Sequence, residues 1–145
     1  MHAIFFGSYD HKSSLSLKAG CSFIIVNEVS DAIIIENSFT VSQLYPLSLQ
    51  PEYESLCQGL DCALRLGLTK IRIVGSSEIV FIHLTNGVPK YLQTSLRIVT
   101  TLVNQIKSLL QKFMVVEFEF ITATSNSRAI DLAKSAFMKE QLVDA

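Results

Sequence analysis

Residues 50–68 constrain the fold more than any other part of this chain. Their apolar side chains recur at three- and four-residue spacing, which predicts an amphipathic helix with one buried face. Pro51 suits the first turn, where its missing N–H costs nothing, and Gly67 predicts the end of the helix. Glu52 stands in the first turn, where a carboxylate interacts favourably with the helix dipole. The helix needs an apolar surface to pack on, and Glu52 is either an ordinary acid at a helix start or the remnant of a carboxylate cluster.

Runs of β-forming residues on both sides of this helix supply that surface. The three runs before it are joined by short connections, which predicts an antiparallel meander. A crossover through the helix places the later strands parallel to one another. We therefore expect an α/β (mixed α+β) domain with a five-stranded mixed sheet, strands 1–3 antiparallel, strands 4 and 5 parallel, and helices on both faces. The predicted elements are strands 3–7, 19–27, 32–35 continuing through 39–41, 70–74 and 115–121, and helices 50–68, 78–85, 96–113 and 129–137.

The composition favours a domain that hides apolar surface in a partner. The 145 residues fit a single domain, and 49% of them are apolar. Charged residues make up 17% of the chain, against roughly 25% in typical soluble domains. We expect either a protein partner or homo-oligomer, or a domain cut from a longer protein. The net charge of −1 gives no overall attraction for a phosphate backbone.

Cysteines, histidines and hydropathy point to an intracellular protein without a metal cluster. The three cysteines are odd in number, form no CxxC pair and fall in apolar segments, which is typical of reduced core thiols. The three histidines follow no metal-ligand spacing, and His83 is interpreted as a surface or locally satisfied residue. No apolar run is long enough to span a bilayer, and no signal peptide is visible, so the chain is predicted to be soluble and intracellular, in nucleus or cytoplasm.

Four segments, in this order and spacing, resemble the ribonuclease H-like domains of the plant and archaeal type. Residues 51–68 are similar to the family helix that begins Ala-Glu-Tyr-x-Ala-Leu and runs to a Leu-Gly. Residues 71–80 resemble its strand ending in Gly-Asp-Ser with the helix that follows, and 126–133 resemble its closing Asn-x-x-Ala-Asp-x-Leu-Ala helix. Residues 6–8 stand where the family has Asp-Gly-Ser. The resemblance spans 3–137 and implies a single ribonuclease H-like domain over the whole chain.

The resemblance implies a nuclease site from which most ligands have been lost. The family uses four carboxylates that hold two Mg²⁺ ions to activate water. Position by position, Glu52 is retained, whereas Phe6, Ser76 and Ile130 replace the three aspartates, and Phe120 replaces a loop histidine. One carboxylate and a serine cannot hold two such cations. The resemblance thus implies an inactive domain with no catalytic residues, no metal and no cofactor.

Two nearby acids leave open a rearranged, active site, which is the least favoured reading. Asp131 is adjacent to the lost position on the last helix, but one residue rotates a side chain by about 100°. Asp10 lies four residues after Phe6 in a polar stretch and would reach the site only if that stretch folded back. We expect neither acid to rebuild the metal site.

Scattered basic residues leave a nucleic-acid partner as the main alternative. Lys90, Arg97 and Arg128 are the candidate contacts, with Lys90 where the family carries a basic loop, although Leu92 occupies the next basic position. The leading prediction is an inactive ribonuclease H-like domain that serves as a protein-interaction or assembly module within a nucleic-acid-processing complex. Degenerate copies of this fold, as parts of reverse transcriptases and of the spliceosome core, make that role plausible. The alternative is a non-cleaving domain that binds RNA or an RNA–DNA hybrid; no membrane partner is expected.

Overall fold

The computed structural model describes residues 1–10, 18–42, 49–93 and 97–144. One five-stranded sheet with the order β3-β2-β1-β4-β5 forms the centre of the domain. The antiparallel pairs are β1–β2 and β2–β3, and the parallel pairs are β1–β4 and β4–β5, as predicted. In chain order the elements are β1 (His2–Asp10), β2 (Lys18–Asn27), β3 (Ile33–Ser42), α1 (Gln50–Arg65), β4 (Lys70–Gly75), α2 (Glu78–Asn86), α3 (Lys90–Gln93), α4 (Arg97–Leu110), β5 (Val115–Phe120) and α5 (Ser127–Asp144).

Several boundaries differ from the sequence prediction, among them those of β1, of the third strand and of α5, which runs from Ser127 to Asp144. Strand β1 continues to Asp10 because each of its residues from His2 onwards pairs with β2. The third strand is continuous from Ile33 to Ser42, and the polar residues in its middle are tolerated because β3 is an edge strand with an exposed face. A four-residue helix, α3, begins at Lys90, directly after the predicted Pro89 break.

Helix α1 packs on the side of the sheet that carries Ile4 and Phe6. Leu56 and Leu60 on its apolar stripe are fully buried in this core. The helix ends at Arg65, and Gly67 follows with a φ of 76°, a left-handed conformation that favours glycine. Helix α4 packs against α1, so α1 and α4 form the thicker helical layer.

Helix α5 covers the opposite face of the sheet, where it packs on β1, β2 and β3. The buried Ser22 hydroxyl donates a hydrogen bond of 2.5 Å to the carbonyl of Ala129 near the start of α5. Further along the helix, Glu140 accepts hydrogen bonds from Lys18 and Thr40. These contacts fix the start of α5 on β2 and its later turns on β2 and β3. None of the described helices has the length and hydropathy needed to cross a membrane.

Candidate functional site

The candidate site lies at the end of β4, beside Phe6 within β1, and where α1, α2 and α5 begin. Because β1 and β4 are parallel, Phe6 and Gly75 stand side by side at the same edge of the sheet. The Asn126 side chain, just before α5, donates from Nδ2 to the Phe6 carbonyl at 3.0 Å and to Ser76 Oγ at 3.2 Å. Asn126 therefore links β1 and the segment after β4 to the start of the last helix.

Asn126 was given no role by the sequence argument. It is 2% exposed, and its Oδ1 has no hydrogen-bond partner among the described residues. An asparagine immediately before a predicted helix is a frequent cap, and that signal alone would have indicated a boundary residue. Only the tertiary structure shows that its side chain hydrogen-bonds both Phe6 and Ser76.

Phe6 fills the centre of the site with hydrocarbon. Its side chain is 1% exposed, and its ring lies 6.0 Å from the ring of Phe81 on α2. A β-carbon added to Gly75 would stand 2.4 Å from two carbons of the Phe6 ring. The glycine at the end of β4 thus leaves the space into which the ring fits.

Glu52, in the first turn of α1, lies among neutral hydroxyl groups. Burial raises the pKa of the Glu52 carboxyl above its usual value of 4.5, and hydrogen bonds from Ser77 and Ser8 oppose that rise. The second carboxyl oxygen, Oε2, is buried without a hydrogen-bond partner among the described residues. No cation compensates this carboxylate within the described part of the chain, so the site disfavours its charge.

Ser76 and Ser77 have separate hydrogen-bond partners in the site. Ser77 occupies the N-cap position of α2, but its hydroxyl makes no capping hydrogen bond. That hydroxyl instead hydrogen-bonds the carboxyl of Glu52. Ser76 accepts the hydrogen bond from Asn126. Both serines therefore act inside the site.

The other predicted positions lie around this centre. Ile130 is half-buried in the first turn of α5, four residues after Asn126, and its N–H bonds the Asn126 carbonyl. Asp131 is exposed on the same helix. Asp10 belongs to β1, not to the loop in which it was expected, and lies about 13 Å along the strand from Phe6. Phe120, at the family's histidine position, ends β5 and is 55% exposed.

This set of donors does not fit a pair of Mg²⁺ ions. Such ions require several anionic oxygens in a near-octahedral arrangement, whereas Glu52 is joined here by serine hydroxyls, an amide and a phenyl ring. In the described ranges, no three His, Cys, Asp or Glu side chains lie close enough to hold a metal ion. We derive no metal-dependent step from this geometry.

The three predicted nucleic-acid contacts do not form one patch. Arg128 begins α5 on one face of the sheet, where it pairs with Glu36 at 3.2 Å. Lys90 and Arg97 belong to α3 and α4, on the side of the opposite helical layer. Their predicted role in nucleic-acid binding stays a prediction, and Arg128 already has an acidic partner.

Lys90 does line a polar cavity of about 440 Å³ between α4 and the segment 86–93. Lys107 contributes a second ammonium group, and no carboxylate lines the cavity. The hydroxyl of Thr100 is buried there without a hydrogen-bond partner in the described ranges. The cavity is lined by Asn86, Gly87, Val88, Pro89, Lys90, Gln93, Thr100, Val103, Asn104 and Lys107.

His83 is locally satisfied, but it is buried and not on the surface. Its Nδ1 lies 2.5 Å from the hydroxyl of the fully buried Tyr53, and the two rings stack at 6.1 Å. Burial lowers the pKa of His83, and the same cause raises the pKa of Tyr53. The pair links α1 to α2 as two neutral side chains.

The comparisons with known proteins agree with this fold. The model of the family described as reverse transcriptase-like matches residues 7–136. The structure of RNase H1 from Halobacterium salinarum superimposes with a TM-score of 0.81 at 22% identity, over 95% of this chain and 98% of that one. An N-terminal RNase H domain from Mycobacterium tuberculosis gives a TM-score of 0.81 at 19% identity, over 99% and 98%.

A third solved structure is LC11-RNase H1, isolated from compost, in complex with an RNA/DNA hybrid. It gives a TM-score of 0.74 at 18% identity, over 97% of this chain and 99% of that one. No curated protein sequence matches the chain. These identities establish the fold alone, whereas the family match covers most of the chain. The chain therefore belongs to the reverse transcriptase-like family and is a ribonuclease H-like domain.

Proposed function

We propose that this domain does not cleave nucleic acid and serves as a protein-interaction module in a larger assembly. The observation that carries the proposal is the Phe6 ring, which is buried against Gly75 at the end of β4. A phenyl ring at the centre of the site makes an adjacent cation costly, because it offers no ligand and excludes water. With one carboxylate left, the residues present supply neither the charge nor the oxygens for a Mg²⁺ pair.

Exposed apolar side chains support a protein partner. The sequence has only 17% charged residues, and several large apolar side chains lie at the surface near α2 and β5. An apolar patch of this kind on a low-charge domain commonly marks an interaction surface. Its members are Ile79, Ile82, Phe118 and Phe120.

A cleavage assay tests the first half of this proposal. The protein is incubated with an end-labelled RNA–DNA hybrid and Mg²⁺ or Mn²⁺, next to an active ribonuclease H as positive control. We expect no cleavage and no metal-dependent change in melting temperature. Cleavage by the wild-type chain that disappears in Glu52→Gln would show a rearranged metal site and overturn the proposal.

The second candidate function is binding of an RNA–DNA hybrid without cleavage. LC11-RNase H1, which shares the fold, has been solved with an RNA/DNA hybrid, and the cavity beside Lys90 and Lys107 offers two ammonium groups without a carboxylate. Ammonium groups pair favourably with phosphate oxygens. This candidate requires the hybrid to approach the α3–α4 side of the domain.

Affinity at several salt concentrations separates the two candidates. If the domain binds a hybrid, the Lys90→Ala and Lys107→Ala variants should each weaken binding and lower the salt slope by about one. Lys139→Ala, on α5, is the matched control. A micromolar, salt-dependent affinity that falls in Lys90→Ala and Lys107→Ala but not in Lys139→Ala would favour hybrid binding over our proposal. If the protein does not bind the hybrid, the proposal of a protein-interaction module stands.

A further inference from the structure

Among the described residues, β5 is the last strand of the sheet, and no further strand pairs with its outer edge. It pairs with β4 on its inner side, and α2 contacts its aromatic side chains. The four side chains from Glu117 to Phe120 are exposed. An open, regular edge strand offers unpaired backbone groups to any extended segment that matches its side chains.

The direction of these backbone groups follows from the hydrogen bonds at the two ends of β5. The N–H groups of Val115 and Ile121 both point inwards, to the carbonyls of Thr69 and Gly75. Because backbone groups alternate along a strand, the even-numbered residues point their N–H and C=O groups outwards. Val116, Phe118 and Phe120 therefore present the free edge.

One face of this edge is aromatic. The rings of Phe118 and Phe120 pack edge-on against Phe81 at 5.9 and 6.4 Å between ring centres. They nevertheless remain 40% and 55% exposed. An apolar side chain on an added strand would cover this remaining surface.

The other face of the edge is acidic. The guanidinium nitrogens of Arg72 on β4 lie 3.1 Å from a carboxylate oxygen of Glu117, 3.4 Å from one of Glu28 and 3.7 Å from one of Glu119. One guanidinium therefore pairs with three carboxylates. Two negative charges are left in excess. A basic side chain placed opposite Glu117 or Glu119 would reduce that excess.

The same acids disfavour a second copy of this chain as the occupant. A symmetric dimer that continued the sheet would pair β5 antiparallel with itself, and residues of the same face would lie opposite each other. If the two-fold axis of the pair passes through Phe118, Glu117 of each copy lies opposite Glu119 of the other. If the axis passes through Glu117, that residue lies opposite its own copy. Directly opposed like charges destabilise a strand pair.

We infer that the β5 edge accepts an extended segment of a partner protein as a sixth strand, and that this segment alternates apolar with basic residues. The apolar side chains lie on Phe118 and Phe120, and the basic ones face Glu117 and Glu119. The inference rests on the proposed function, because it names the surface and the partner chemistry of an interaction module. Strand addition of this kind takes its affinity from backbone hydrogen bonds and its specificity from alternate side chains.

Capped peptides test the inference directly. The probe is acetyl-Thr-Lys-Val-Lys-Val-Lys-Thr-amide, and one control replaces each lysine by glutamate. A second control keeps the lysines but carries N-methyl groups on alternate amides. We expect the basic peptide to shift the amide NMR signals of β5, and both controls to bind about tenfold more weakly. Equal binding of the basic and acidic peptides, or no binding of the basic one, would overturn the inference.

A charge-reversal variant shows whether binding occurs at this edge. Glu119→Lys cancels the excess of two negative charges, so the basic peptide should lose its advantage and the two peptides should bind about equally. Asp131→Lys, an exposed acid on α5, makes the same change in net charge and should leave the preference unchanged. Circular dichroism of both variants confirms folding. If both variants weaken the basic peptide equally, its binding is unspecific attraction and the inference fails.

Two further measurements distinguish failure of the inference from failure of the proposed function. Concentration-dependent dimerisation of the peptide-free protein, with slowed hydrogen exchange in β5, would identify a second copy as the occupant and overturn the inference alone. Cleavage of an RNA–DNA hybrid would overturn the proposed function, whatever the peptides do. A partner that contacts another surface would leave the proposed function intact and refute the β5 edge.

Discussion

The ring of Phe6 lies so close to Gly75 that a β-carbon on the glycine would stand 2.4 Å from two ring carbons. The two residues are neighbours in the parallel register of β1 and β4. The fit means that the aromatic residue and the glycine depend on each other. It also means that Phe6, at the centre of the site, is part of the hydrophobic core.

Gly75→Ala should destabilise the domain by about 1–3 kcal/mol, because the added methyl group overpacks a site that the Phe6 ring already fills. Urea denaturation followed by circular dichroism measures this loss. In the background of Phe6→Ala, the same glycine substitution should cost less, since the ring is gone. Equal costs in the two backgrounds would show that the contact does not govern stability at this position.

Leu60→Ala should lower the free energy of unfolding by about 2–5 kcal/mol, because it opens a cavity beneath a fully buried side chain of α1. Leu66→Ala is the matched control, since Leu66 follows the same helix and is largely exposed. The control should change stability by about 0.5 kcal/mol or less. Similar losses in both variants would contradict the packing of α1 described here.

Glu52→Gln should stabilise the domain at neutral pH. The pKa of the folded carboxyl is raised above 4.5 by burial, so the folded state holds a proton that the unfolded state has released. Stability is therefore lost as the pH rises from about 4.5 through the folded pKa, and glutamine, which does not ionise, avoids this loss. Below pH 4.5 the two proteins should unfold alike.

Melting temperatures between pH 4 and pH 8 check this prediction. The advantage of Glu52→Gln should grow with pH and then level off. Glu78→Gln, which removes an exposed acid from the start of α2, serves as control. An advantage that is constant across the range would mean that the Glu52 carboxyl does not titrate as a buried group.

The fold could be predicted from the sequence because short local patterns determine its helices and strands, and the tertiary structure keeps these elements. The stripe of α1, the strand runs and Gly67 each act within a few residues. The site resisted prediction because its contacts join distant residues. Asn126 reaches Phe6 across 120 positions, and the Ser77 hydroxyl turns from its helix towards Glu52. No local rule indicates which of two hydrogen-bond partners a serine selects.

Asp10 illustrates the same limit at the end of a strand. The polar stretch after Gly7 predicts a turn, yet Ser8, Tyr9 and Asp10 continue β1 because Cys21, Gly20 and Ala19 offer paired backbone groups opposite them. Strand length is thus set by the partner strand and not by the residues of β1 alone. This continuation also separates Asp10 from the site.

Placing aspartates at the three positions where the resemblance implies lost acids should convert the site into a Mg²⁺ site. In the triple variant Phe6→Asp, Ser76→Asp and Ile130→Asp, four carboxylates, including that of Glu52, would surround the space now held by the Phe6 ring. Without metal, the variant should melt at a lower temperature than the wild type, because it loses buried hydrocarbon and gathers like charges.

Added Mg²⁺ should raise the melting temperature of this variant in a concentration-dependent manner, because the ion binds the folded state and not the unfolded one. The wild-type protein should show no such rise. Phe6→Asn with Ser76→Asn and Ile130→Asn keeps similar side-chain size without charge and is the matched control. If Mg²⁺ stabilises this control as much as the acidic variant, its effect does not come from the restored carboxylates. If the wild type responds as strongly, the metal site was never lost.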